Sequence, residues 1–148
     1  MVLFSSTPYL VELVISSNFI SGESLKELSN YFPNMKNIET LNFSSNWIDS
    51  YCMEDFIENA FIYIPSVKSI DLSNNFLDNE FLKGFDSYLR KHKSEKQITF
   101  DLSKNRFDAH LSKYKFSNHN EEDNSLIMKI DKKQEKTYSL MHFVENLS

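Results

Sequence analysis

Residues 38–48 read IETLNFSSNWI. The same pattern, L-x-x-L-x-L-x-x-N-x-L with other large apolar residues standing in for Leu, occurs three more times: LVELVISSNFI at 10–20, VKSIDLSNNFL at 67–77 and QITFDLSKNRF at 97–107. Gln97 alone breaks the apolar positions. Asn18, Asn46, Asn75 and Asn105 follow one another at steps of 28, 29 and 30 residues, a regularity that marks a repeated structural unit.

Within each segment the pairs Leu13/Ile15, Leu41/Phe43, Ile70/Leu72 and Phe100/Leu102 alternate at period two, which turns both members to one face of a short strand. After each asparagine the period becomes helical. Leu25, Leu28 and Phe32, then Met53, Phe56 and Ala60, then Leu82, Phe85 and Leu89 lie 7, 10 and 14 residues past it, forming one apolar stripe. Ser21, Asp49 and Asp78 stand where helix N-caps are expected, with Asp108 in the corresponding place of the fourth unit. Pro33 and Pro65 lie where the first two helices should have ended. Each unit therefore reads strand, turn, helix, return. A single unit cannot bury its apolar face, whereas stacked units join their faces into one core. Helices need about 10 Å of spacing and strands about 4.8 Å, so the stack should bend with its sheet inside. The recurring asparagine is expected to turn inward and bond the main chain of neighbouring turns.

On these residues the chain resembles the leucine-rich repeat family from Leu10 to about Phe107. The 28–30 residue step with a helix in each unit is similar to the family's ribonuclease-inhibitor-type branch. The resemblance implies an α/β fold, a horseshoe-shaped solenoid with a parallel concave sheet and convex helices. It also implies binding of another protein on the concave face and adjoining loops, at times blocking an enzyme's active site. With four clear repeats and one cysteine, the chain departs from ribonuclease inhibitors proper, and short arrays of this kind also resemble those of bacterial effectors acting inside host cells. The expected organisation is a short cap at 1–9, four repeats over 10–107, and a degenerate fifth strand with a C-terminal cap at 108–148. In the last part Met128 and Ile130 hold the strand positions, and Thr137 to Val144 fit an antiparallel strand or a short helix, with a hairpin preferred.

Composition narrows the function. Sixteen Lys plus Arg against twenty-one Asp plus Glu give a net charge of −5, which disfavours a nucleic-acid partner. Gly22 and Gly84, the only two glycines, sit in no phosphate-binding loop. No stretch approaches the ~20 apolar residues of a membrane span, and no residue spacing implies a cofactor or metal. The lone Cys52 suits a reducing compartment, so a cytoplasmic location is expected, or the host cytosol for a secreted bacterial effector. His92, His110, His119 and His142 share no metal-ligand spacing, and Glu121, Glu122 and Asp123 lack the pattern of a calcium loop.

Reading the repeats column by column isolates the candidate binding residues. The position after the recurring asparagine holds Phe19, Trp47, Phe76 and Arg106, residue types enriched in binding hot spots. The alternative is that they stack on one another and merely close the rim. On the outward face of the strands, Asn42, Asp71 and Asp101 share a column. The two carboxylates have no structural partner required by the pattern and are expected to meet basic groups of a partner, or else to belong to a solvated face. The chain is thus expected to be a noncatalytic protein-binding module, monomeric when free, and an inhibitor or antagonist that occludes a partner enzyme. The rival expectation is a scaffold that assembles through exposed edge strands; a third is an enzyme using His110, His119 or His142.

Overall fold

The computed structural model describes residues 8–51, 53–91, 98–108, 126–129 and 138–139, with 89–91 and the last two stretches described as backbone alone. Each repeat contributes one short strand: β1 (Glu12–Val14), β2 (Thr40–Asn42), β3 (Ser69–Asp71) and β4 (Ile98–Asp101). The first three are followed by helices α1 (Gly22–Ser29), α2 (Met53–Tyr63) and α3 (Asn79–Lys91). Strands β5 (Leu126–Lys129) and β6 (Tyr138–Ser139) complete a six-stranded sheet in chain order, parallel from β1 to β5 and antiparallel between β5 and β6.

Strand register follows the repeat. Leu13, Leu41, Ile70 and Phe100 lie side by side, and all four are buried while their neighbours along each strand point out. The strands from the first three repeats stop after three residues and β4 after four, because the chain then turns through the left-handed region at Ser17, Ser45, Asn74 and Lys104, with φ between 54° and 58°. Asparagine tolerates that conformation; serine and lysine are less suited to it. Bonds between turns hold three of these residues: Ser17 N donates to Ser44 O at 2.9 Å, Ser45 N to Ser73 O at 2.9 Å and Asn74 N to Ser103 O at 2.8 Å.

The recurring asparagines fasten each turn to the one before it. Asn46 Oδ1 accepts from the backbone N–H groups of Asn18 (3.0 Å) and Ile20 (3.1 Å), and its Nδ2 donates to the carbonyls of Ile15 and Phe43, both at 2.9 Å. Asn75 accepts from Ile48 N and donates to Phe43 O and Leu72 O. Asn105 accepts from Leu77 N and donates to Leu72 O and Leu102 O. Asn46 and Asn75 are 3% exposed. Asn18 departs from the expected inward position: it is exposed, and its amide reaches only Ser16 O, two residues away. Among the described residues no turn precedes it for its side chain to fasten.

The helices differ at their starts. Ser21 caps α1 by accepting from Ser24 N, and Asp78 caps α3 by accepting from Glu80 N. Asp49 does not cap α2, because that helix begins three residues later in its unit than α1 and α3 do in theirs; its Oδ1 holds the preceding turn by accepting from Tyr51 N at 3.1 Å. Asp108 N donates to Asn79 Oδ1 at 3.2 Å. α1 ends before Pro33, and Phe32 reaches the core from a 3₁₀ turn, Phe32–Asn34, since proline cannot continue the bonding ladder.

The predicted apolar stripe is buried, Leu89 lying beyond the described side chains. A second row, Ile57, Phe61, Phe81 and Tyr88, is buried with it. Phe61 meets Tyr88 at 4.9 Å between ring centroids, and Phe85 meets Phe100 edge-on at 5.4 Å, which ties α2 and α3 to each other and to β4. Each fully buried large side chain contributes about 1.5–3 kcal/mol.

The expected horseshoe solenoid is corrected. In 148 residues the repeats supply four parallel strands and three described helices. Four strands span only three spacings, about 14 Å, far too little to sweep out a horseshoe. What forms is a small α/β stack whose sheet ends in an antiparallel strand. Residues 1–7 of the expected N-terminal cap, Cys52, the four histidines, the acidic cluster 121–123 and, in the expected C-terminal part, Ile130 and residues 140–144 lie outside the described residues.

Candidate functional site

The rim column is assembled by the turns that follow each strand. Trp47 N donates to Ile20 O at 2.9 Å, Phe76 N to Ile48 O at 2.8 Å and Arg106 N to Leu77 O at 2.8 Å. The backbone beneath three of the four rim residues is thus fixed by the neighbouring unit. Their side chains form two pairs. Phe19 and Trp47 meet edge to face with centroids 4.8 Å apart. The Arg106 guanidinium lies over the Phe76 ring at 4.1 Å from its centroid, a cation–π contact. Pairing does not bury them: Phe19 is 78%, Trp47 55% and Phe76 38% exposed, and Arg106 is exposed.

Beside the rim lies the outward face of the sheet. Val14, Asn42, Asp71 and Asp101 are register partners across β1 to β4. The expectation that the two carboxylates lack a structural partner is corrected. Asp71 Oδ1 accepts from Ser73 N at 2.9 Å, and Asp101 Oδ1 accepts from Ser103 N at 3.1 Å and from the Ser103 hydroxyl at 2.7 Å. Asn42 Oδ1 does the same with Ser44 N and the Ser44 hydroxyl. All three close Asx turns that lead the chain out of the strand. A short acceptor side chain at this position is therefore explained by local geometry. The negative charge at two of the three sites is not, because asparagine does the same work in β2.

Two exposed residues were not singled out by the column reading. Tyr51, 91% exposed, stands in the turn before α2, off the repeat's columns. Lys104, exposed at the left-handed position two residues before Arg106, adds a second cation to the fourth unit's rim. Among the described residues no group of three or more His, Cys, Asp or Glu is placed to hold a metal ion, and no helix is long and apolar enough to cross a membrane.

No protein-family model matches the chain, and no curated protein matches it in sequence. Among solved structures it is similar to a chain described as "Leiomodin-1 Actin-Binding Site 2 (ABS2)", with a TM-score of 0.62 and 11% sequence identity over 99% of this chain and 83% of that one. The likeness is one of fold, the small α/β stack described above.

Proposed function

We propose that this chain is a noncatalytic protein-binding module whose partner lies across the Phe19, Trp47, Phe76 and Arg106 rim and the adjoining outward face of the sheet. Binding would cover a surface of that partner, as an inhibitor or antagonist of an enzyme does. One observation carries the reading: three large aromatic rings on successive units stay in water while Phe32, Phe43, Phe56 and Phe85 of the same units are at most 1% exposed. Aromatic and arginine side chains grouped on a surface are the usual anchors of protein interfaces. Backbone bonds to the preceding unit already hold three of the four in place, so few main-chain degrees of freedom are lost on association. The resemblance of the four segments to leucine-rich repeats supports a protein partner. The structural neighbour's title, which names an actin-binding site, is in keeping with one.

The test is a pull-down with the wild-type chain against a Trp47→Ala plus Phe76→Ala double variant whose fold is checked by circular dichroism. Recovery of a specific partner is expected to fall at least about tenfold, as for loss of hot-spot side chains. Unchanged recovery by the folded double variant removes the rim from the function.

A further inference from the structure

We infer that the Arg106 end of the rim receives a carboxylate, so that the partner presents an acidic residue and a bulky apolar residue on one segment. This rests on the protein-binding reading and goes further by naming the chemistry of the partner. The Arg106 guanidinium lies over the Phe76 ring, and among the described residues its N–H donors meet no acceptor; that planar fork matches a carboxylate bidentately. Among the described residues neither Arg106 nor Lys104 belongs to an ion pair. The acids nearest in sequence are already engaged: Asp101 Oδ1 closes its Asx turn and Asp108 Oδ2 accepts from Asn79 Nδ2 at 3.4 Å.

The rim is thus polarised along the stack. Its first two units offer the Phe19 and Trp47 rings beside uncharged Ser17 and Ser45, while its fourth offers Arg106 and Lys104, which meet no acid among the described residues, in a chain whose net charge is −5. From Phe19 to Arg106 is three strand spacings, about 14 Å. An extended peptide crossing the strands covers that distance in about four residues at ~3.3 Å each. The partner segment therefore carries a large apolar side chain and, about four residues away, Asp or Glu.

The test uses labelled peptides in which leucine and glutamate are separated by three serines, a glutamine analogue, and the full chain, read by fluorescence anisotropy. Emission of Trp47, the only tryptophan, gives a second signal. The glutamate peptide is expected to bind about five- to tenfold more tightly than the glutamine one at low salt. That preference should shrink at high salt, vanish in Arg106→Gln and partly survive in Arg106→Lys. Equal binding of the two peptides, a preference that persists in Arg106→Gln, or no binding of either up to about millimolar overturns the carboxylate inference. None of these outcomes touches the protein-binding reading, which stands or falls on the double variant's pull-down.

Discussion

The four asparagines are one residue type in one repeat position, yet they are not equivalent. Asn46, Asn75 and Asn105 each satisfy main-chain groups of two successive turns, whereas Asn18 reaches only its own. Replacing Asn46 or Asn75 by Ala leaves buried N–H and C=O groups without partners, each costing about 1–3 kcal/mol, so either variant is expected to lose about 2–4 kcal/mol in urea unfolding. Asn18→Ala should change stability by no more than about 0.5 kcal/mol, as at a surface position. Equal losses at Asn18 and Asn46 would mean that the bonds between turns are not what the repeated amide contributes. Much of this is legible in the sequence, because the 28–30 residue step fixes which asparagine stands beside which. That Asn18 stands in water is not, since the spacing of a repeat gives all four asparagines the same place and says nothing about how deeply each is covered. The Asx turns of Asp71 and Asp101 were hidden for a different reason: an acceptor two residues before a serine is so common that it carries little signal until the turn is seen.

At the scale of the elements, the helical stripe spaced from the asparagine explains which residues face the sheet but not how the helices meet each other. That contact is carried by Phe61, off the stripe, whose ring meets Tyr88, also off the stripe, and Phe85 of α3, and both Phe61 and Tyr88 are buried. Likewise Asp49 reads as a cap by analogy with Ser21 and Asp78, but the longer connection in its unit moves the start of α2 beyond its reach. Burial of Tyr88 in this contact has a consequence that can be titrated. Burial first, and the nearby Glu58 carboxylate second, push its phenol up to about 12 from a value of about 10 in the unfolded chain. The folded state therefore keeps the proton to higher pH than the unfolded state does. Stability is complete below about pH 10 and falls as pH rises towards about 12, by about 2 kcal/mol from this group. Tyr88→Phe retains the ring against Phe61 and removes the titration. The stability gap between wild type and Tyr88→Phe, from urea midpoints at pH 9 and pH 11.5, is expected to shift by about that amount in favour of the variant at the higher pH. A gap independent of pH would show that the hydroxyl is not held away from water.

Among the described residues the units pack in chain order: β1 meets β2, β2 meets β3, β3 meets β4 and β4 meets β5, while α1 meets α2 and α2 meets α3. In such an arrangement a central unit cannot open without breaking two interfaces, whereas the first of the described units gives up only one. Burial already grades this way. Ile15 and Ile20 are half-buried, while their counterparts Phe43 and Ile48, and Leu72 and Leu77, are fully buried. Native-state hydrogen exchange should therefore find a lower opening free energy for the amides of Ile15 and Ser17, which bond to Asn42 O and Ser44 O, than for those of Phe43 and Leu72, which bond to Asp71 O and Asp101 O. The difference should be at least about 1–2 kcal/mol, a visible part of a typical global stability of about 5–15 kcal/mol. Within the rim this predicted gradient has a functional edge: Phe19 belongs to the first described unit, while Trp47 and Phe76 belong to units held on both sides. If the rim binds a partner, occupancy should raise protection at Ile15 and Ser17 more than at Leu72, because a ligand stabilises most visibly the region that opens most readily. Uniform protection across the four amides in the free chain would instead mean that the stack opens only as a whole, and the bound partner would then slow all of them alike.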